Sequence, residues 1–145
     1  MNRVAAVLAL FLALTLSLPA IAQDNQGSSE DASAVRATVT NYIEAYYTGD
    51  ASRMQQTLHP HYLKHMIHGD LPMREWTVAK LVDAVRENGP ADLPAADKTE
   101  KVIVLDISGA IASAKLITPG WTDYLILEKF AGEWKILSVV QRIDN

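Results

Sequence analysis

The residue that most invites a chemical reading is Asp123, a carboxylate inside an otherwise apolar file. The stretch from Trp121 to Gln141 reads as two strands joined by the two-residue turn Ala131-Gly132. Strand alternation puts Trp121, Asp123, Leu125 and Leu127 on one face, with Trp134, Ile136, Ser138 and Val140 expected across from them. A carboxylate on the inner face of such a hairpin is desolvated, which raises its pKa and suits it to act as a general base. The same placement equally suits an acid that accepts hydrogen bonds from a tyrosine, a histidine or backbone amides and orders the sheet. Acid–base work needs a second polar group, for which Tyr42, Tyr46, His59 and His65 are the candidates.

All four histidines, His59, His61, His65 and His68, fall within ten positions. Spacing argues against a shared metal: on an extended strand His61 and His65 stand about 13 Å apart, whereas zinc holds its nitrogens at about 2 Å. No metal site and no cofactor is predicted. There is no Gly-x-Ser-x-Gly elbow, no Ser-His-Asp order and no phosphate-cradling glycine loop. Tyr46 and Tyr47 end a helix side by side, so only one can point inward. Trp121, at the open end of its strand, is placed to cover an aromatic ligand or simply to pack.

The elements that position these groups are legible in order. Arg3, the apolar run Val4 to Leu18 and Ala20-Ile21-Ala22 have the form of a secretory signal, with cleavage expected before Gln23. Residues 1–22 are therefore read as a signal peptide, 23–32 as a flexible polar leader and 33–145 as one domain, exported to the periplasm or medium. Without Arg3, 12 basic residues face 17 acidic ones, a net charge of −5, which argues against nucleic acid and anionic membranes as partners. The chain has 145 residues and no cysteine, so its stability rests on one core without disulfides.

Asp31 or Ser33 is expected to cap a first helix carrying the stripe Val35, Val39, Tyr42, Ile43 and Tyr46, ended by Gly49. Asp50 caps a short second helix, Pro60 stops it, and His61 to Ile67 is a possible strand. A third helix follows Trp76 and stops at Gly89-Pro90. From Thr99 the period changes to two, giving strands around Val102–Ile107 and Ile111–Thr118 before the hairpin. Helices first and strands last is an α+β order, with helices covering one face of a curved antiparallel sheet.

Ile103, Leu105 and Ile107 are assigned to the helix side with Ala112, Ala114 and Leu116. The small alanines leave room there for a ligand cavity, or for a filler such as Tyr46 or Trp76. Val104, Ile117, Tyr124, Ile126, Leu137 and Val139 are assigned to the outer face, an apolar area suited to a homodimer that packs sheet on sheet.

Val35 to Tyr47 with Gly49-Asp50, Leu58-His59-Pro60, Asp106-Ile107-Ser108-Gly109 with Ala112-Ser113-Ala114-Lys115, Thr122-Asp123-Tyr124-Leu125-x-Leu127-x-Lys129 and Gly132-x-Trp134-Lys135-Ile136 together resemble the Putative lumazine-binding family. That family lies in the superfamily of nuclear transport factor 2, polyketide cyclases and ketosteroid isomerases. The resemblance implies a cone of curved sheet wrapped around a long helix with a pocket between them, often dimeric through the sheet, and places His59 at that pocket. On this basis Tyr46, His59, Trp76, Trp121 and Asp123 are the candidate ligand-binding residues for a small hydrophobic or heterocyclic molecule. An isomerase or cyclase using Asp123 as base, and a dimeric accessory domain with a filled pocket, stand as alternatives.

Overall fold

The computed structural model describes residues 21–144, so the hydrophobic run assigned to a signal peptide lies outside the described residues. Three helices, α1 (Ile21–Thr48), α2 (Ala51–Thr57) and α3 (Val78–Asn88), accompany six strands. The strands are β1 (Leu58–Ile67), β2 (Arg74–Thr77), β3 (Lys101–Ser108), β4 (Ile111–Ile117), β5 (Trp121–Phe130) and β6 (Glu133–Ile143). They form one sheet in the order β2-β1-β6-β5-β4-β3. All pairs are antiparallel except β1 with β6, which the crossover through the rest of the chain makes parallel. Among the described residues no helix is long and apolar enough to cross a membrane.

Local chemistry sets most boundaries. Gly49 takes φ +72° where α1 ends, and Asp50 then caps α2 by accepting from the Arg53 amide at 2.9 Å. Thr77 caps α3, and Gly89, at φ +64°, ends it. Ala131 and Gly132, both at positive φ, form the two-residue β5–β6 turn expected from the sequence.

α1 starts earlier than the expected cap at Asp31 or Ser33. The 23–32 segment, read above as a flexible leader, is helical, and Asp31 is used otherwise: its Oδ1 accepts from Lys129 Nζ at 2.7 Å and from Trp134 Nε1 at 2.9 Å. No proline interrupts the run before it. The short strand β2 was not expected, and it carries Trp76 just ahead of α3.

Two bulges overturn part of the face assignment. In β6 the register shifts so that Ile126 faces Ser138 but Leu127 faces Ile136, which leaves Leu137 as the extra residue. Beyond it every side chain changes face: Val139 and Gln141 are buried on the helix side, and Val140 is 44% exposed. In β3 the shift lies between Val104 and Asp106, so Val102 and Val104 join Ile107 on the core, while Leu105 turns outward. Val104 and Val139 therefore leave the expected outer face, and Ile103, Leu105, Ser138 and Val140 leave the inner one.

The core lies between α1 and the sheet. Val35, Val39, Tyr42 and Ile43 are buried against Leu116, Leu125, Leu127 and Ile136. Tyr47 turns in, its hydroxyl donating to the Thr99 carbonyl at 2.8 Å, and Tyr46 stays at the rim. α1 packs directly onto β3 and β4. The space beneath Ala112 and Ala114 is thereby closed, and the cavity opens farther along the sheet.

Candidate functional site

The cavity has a volume of about 220 Å³ and lies at the β1–β6–β5 end of the sheet, roofed by α1, α2 and α3. Its floor is polar and its walls are aromatic. Asp123 points in from β5 and Lys64 from β1, on strands separated by β6, and Gln141 of β6 lies between them. Asp123 is fully buried, and neither of its carboxylate oxygens has a hydrogen-bond partner among the described residues. Lys64, whose side chain is 8% exposed, places Nζ 3.9 Å from Asp123 Oδ2 and donates instead to the Tyr42 hydroxyl at 3.1 Å. That hydroxyl stands 3.4 Å from the hydroxyl of Tyr62.

The electrostatics follow from burial. Loss of water raises the Asp123 pKa above the usual carboxylate value. Lys64 opposes that rise, as do Gln141 and Trp121 more weakly, without hydrogen-bonding the carboxylate in this geometry. Burial also lowers the Lys64 pKa; Asp123 works against this fall and Arg74 adds to it. Each member of the pair is thus pushed toward its neutral form. Tyr42 is raised well above the ordinary phenol value, chiefly by burial, and remains a hydroxyl.

Tyr46 and Trp121 meet edge to face across the mouth, with ring centroids 5.6 Å apart, and Trp76 forms the wall from β2. Past Tyr46, Trp76 and Leu81 the cavity adjoins an outer groove of about 460 Å³ along α3 and residues 88–93. A wider groove of about 630 Å³ lies at the β5–β6 turn, but most of its charges are matched, Lys129 with Asp31, Arg53 with Glu44 and Lys135 with Glu133, and the remaining one, Glu30, is exposed to solvent. It offers a ligand no unpartnered group comparable to Asp123.

The structure thus brings Tyr46, Trp76, Trp121 and Asp123 around one cavity and leaves His59 out. His59 is buried near the other end of β1. There it packs edge to face on Phe130 at 4.7 Å, accepts from the His61 amide at 3.0 Å and stands 3.4 Å from Glu128. Five positions along a strand separate His59 from Lys64, about 16 Å if fully extended, which is why it cannot share the site. His65 pairs with Glu75 at 3.0 Å, and its position on β1 alternates with the inward Lys64. Among the described residues no three acidic or histidine side chains group as metal ligands.

Sequence reasoning missed Lys64. Its signal was of the same kind as that of Asp123: Tyr62, Lys64 and Met66 form an inward file at period two, with a charge in the middle. The weak periodicity of the surrounding stretch, caused by the register break between Leu58 and Leu63, hid it.

Comparison with known proteins agrees with this architecture. An NTF2-like protein of unknown function from Silicibacter pomeroyi superposes with a TM-score of 0.68 at 18% identity, covering 81% of this chain and 98% of its own. A second, from Shewanella baltica, gives 0.66 at 19% identity over 81% and 96%. A ketosteroid isomerase-like protein from Erwinia carotovora atroseptica gives 0.59 at 12% identity over 80% and 98%. At these identities the likeness speaks for the fold alone. No curated protein matches the chain. The family model described as Putative lumazine-binding matches residues 30–141, from the middle of α1 almost to the end of β6. The chain belongs to that family, and its fold is that of the NTF2-like proteins.

Proposed function

We propose that the protein is an exported binding domain that holds a small, flat, largely apolar molecule, aromatic or heterocyclic, in the cavity above Lys64 and Asp123. The observation that carries this reading is the pair of unpartnered, fully buried oxygens of Asp123 facing a cavity walled by Trp76 and Trp121. An unsatisfied buried acceptor costs about 1–3 kcal/mol, which a ligand N–H or O–H would offset. An apolar cavity of about 150 Å³ accepts one benzene, so about 220 Å³ suits one or two fused rings. The open volume also counts against an accessory domain whose pocket is filled by its own side chains.

Titration with lumazine and simple aromatic heterocycles, followed through Trp76 and Trp121 fluorescence, tests the binding. Native mass spectrometry of protein from its own host would look for the resident molecule. Absence of any bound molecule, together with no fluorescence response, would remove the reading. The apolar run Val4 to Leu18 supports export, which predicts a mature N-terminus at Gln23 in protein recovered from the periplasm or medium.

A second reading, an isomerase or cyclase with Asp123 as general base, draws on the raised proton affinity of that buried acid. Asp123→Asn separates the two. Retained binding in the variant, with no turnover in the wild type, leaves only the binding domain.

A further inference from the structure

We propose that Lys64 is a carbonyl-capturing amine, condensing with an aldehyde or ketone group of the cavity's ligand to form an iminium, with Asp123 as the proton donor. This rests on the reading that the cavity takes a small ligand.

The geometry separates this pair from an ordinary salt bridge. At 3.9 Å, Nζ is too far from Asp123 Oδ2 for a hydrogen bond, and both groups line the same cavity. Nζ is held by one contact, to the Tyr42 hydroxyl at 3.1 Å, on the side of α1. Such an arrangement presents an amine and an acid side by side to whatever occupies the cavity. Burial favours the uncharged amine, which is the nucleophilic form, and Arg74 on β2 acts in the same direction. The groups facing Lys64 are Tyr42 from α1, Tyr62 from its own strand, Arg74 from β2, Gln141 from β6 and Asp123 from β5, and Asp123 is the only carboxylate among them.

The step balances within the site. The Nζ lone pair attacks the carbonyl carbon, forming a C–N bond, and the carbonyl oxygen takes the Asp123 proton. The adduct nitrogen then carries two hydrogens and a positive charge. One of those hydrogens passes to the new hydroxyl, the C–O bond breaks and water leaves. A neutral amine and a neutral acid have become an iminium and a carboxylate, each the other's counter-ion at the distance already present. Tyr46, Trp76 and Trp121 would flank an aryl group on the carbonyl carbon.

Benzaldehyde with sodium cyanoborohydride tests the inference on the full chain, with benzyl alcohol as the analogue that lacks a carbonyl. Both should alter tryptophan fluorescence. Peptide mapping should then find one benzyl group on Lys64, added at least about tenfold faster near pH 7 than on any exposed lysine. An excess of benzyl alcohol should slow that labelling in the wild type, which needs no variant. Lys64→Met should abolish the label at this position and leave only the slow background on exposed lysines. Asp123→Asn should slow labelling at least about a hundredfold, as expected for a lost general acid. Benzyl alcohol binding with label spread only over exposed lysines would overturn the amine's role and leave the binding site standing. If neither compound alters fluorescence and Lys64 stays unlabelled, both readings fall.

Discussion

Lys64 Nζ stands 3.9 Å from Asp123 Oδ2, although the two residues lie on strands that do not touch, with β6 between them. The contact is diagonal across three strands: Lys64 is level with Val139, and Asp123 with Gln141. Each ionisable group is buried without a hydrogen bond to the other, an arrangement that costs stability and is retained where a site needs it.

Asp123→Ala should destabilise the fold near neutral pH, because it removes the one influence that favours a proton on Lys64 and leaves that amine buried. The pH dependence has a definite sign. Without Asp123, Lys64 keeps only influences that lower its pKa from 10.5. The folded state then binds fewer protons than the unfolded one, so stability is full above that value and is lost as pH falls. Calorimetry from pH 7 to pH 10 should show Tm of the variant rising more steeply than that of the wild type. A parallel pair of curves would refute the pairing.

Asp31 acts in the opposite window. Its carboxylate is held below the ordinary value of 3.8 by hydrogen bonds from Lys129 and then Trp134, against a small effect of burial. Its contribution is present above that value and lost as pH falls through the folded pKa. Asp31→Asn should therefore flatten part of the acid limb of the stability curve below the ordinary value of 3.8, with no change in slope well above it. An unchanged acid limb in thermal melts would show that the link between α1 and the β5–β6 hairpin carries no stability.

Gly49 and Gly89 both have left-handed φ, yet they should not respond alike to alanine. A Cβ on Gly49 would lie 2.3 Å from the Gly89 carbonyl carbon, whereas one on Gly89 meets nothing within 4 Å. Gly89→Ala should cost about 1–3 kcal/mol from backbone strain, because φ 64° with ψ −151° is a conformation essentially reserved for glycine. Gly49→Ala adds a backbone clash where α1 meets the end of α3, and should lose several times that in denaturant unfolding. Equal losses would contradict the packing described.

The outer sheet face should hold a second subunit. After the two bulges it retains Ile117, Tyr124 and Ile126, and it gains Ile103, Leu105 and Val140. The double variant Tyr124→Glu, Ile126→Lys should convert a two-subunit mass to one subunit in light scattering at micromolar concentration, leaving the helical signal in circular dichroism intact. A wild type that already scatters as one subunit would end this idea.

Much of the fold could be read because its determinants are local. The α1 stripe, the Asp50 cap, the turn at Ala131-Gly132 and the order of helices before strands each depend on a few neighbouring residues. Face assignment failed where one extra residue, Leu105 or Leu137, reversed everything beyond it. A bulge is chosen by the packing of the whole sheet and leaves no compulsory mark in composition.

The chain by itself determined that an acid would sit among the apolar residues of β5, because period two and the hairpin turn leave Asp123 no other face. It determined likewise that Tyr46 and Trp121 would stand near open ends of their elements. Only the tertiary structure decided what Asp123 would meet. The parallel pairing of β1 with β6 brings Lys64 within reach, across a sequence separation of 59 positions, and places His59 at the far end of the same strand. Burial then acts on the pair jointly, since the loss of water that raises one pKa lowers the other.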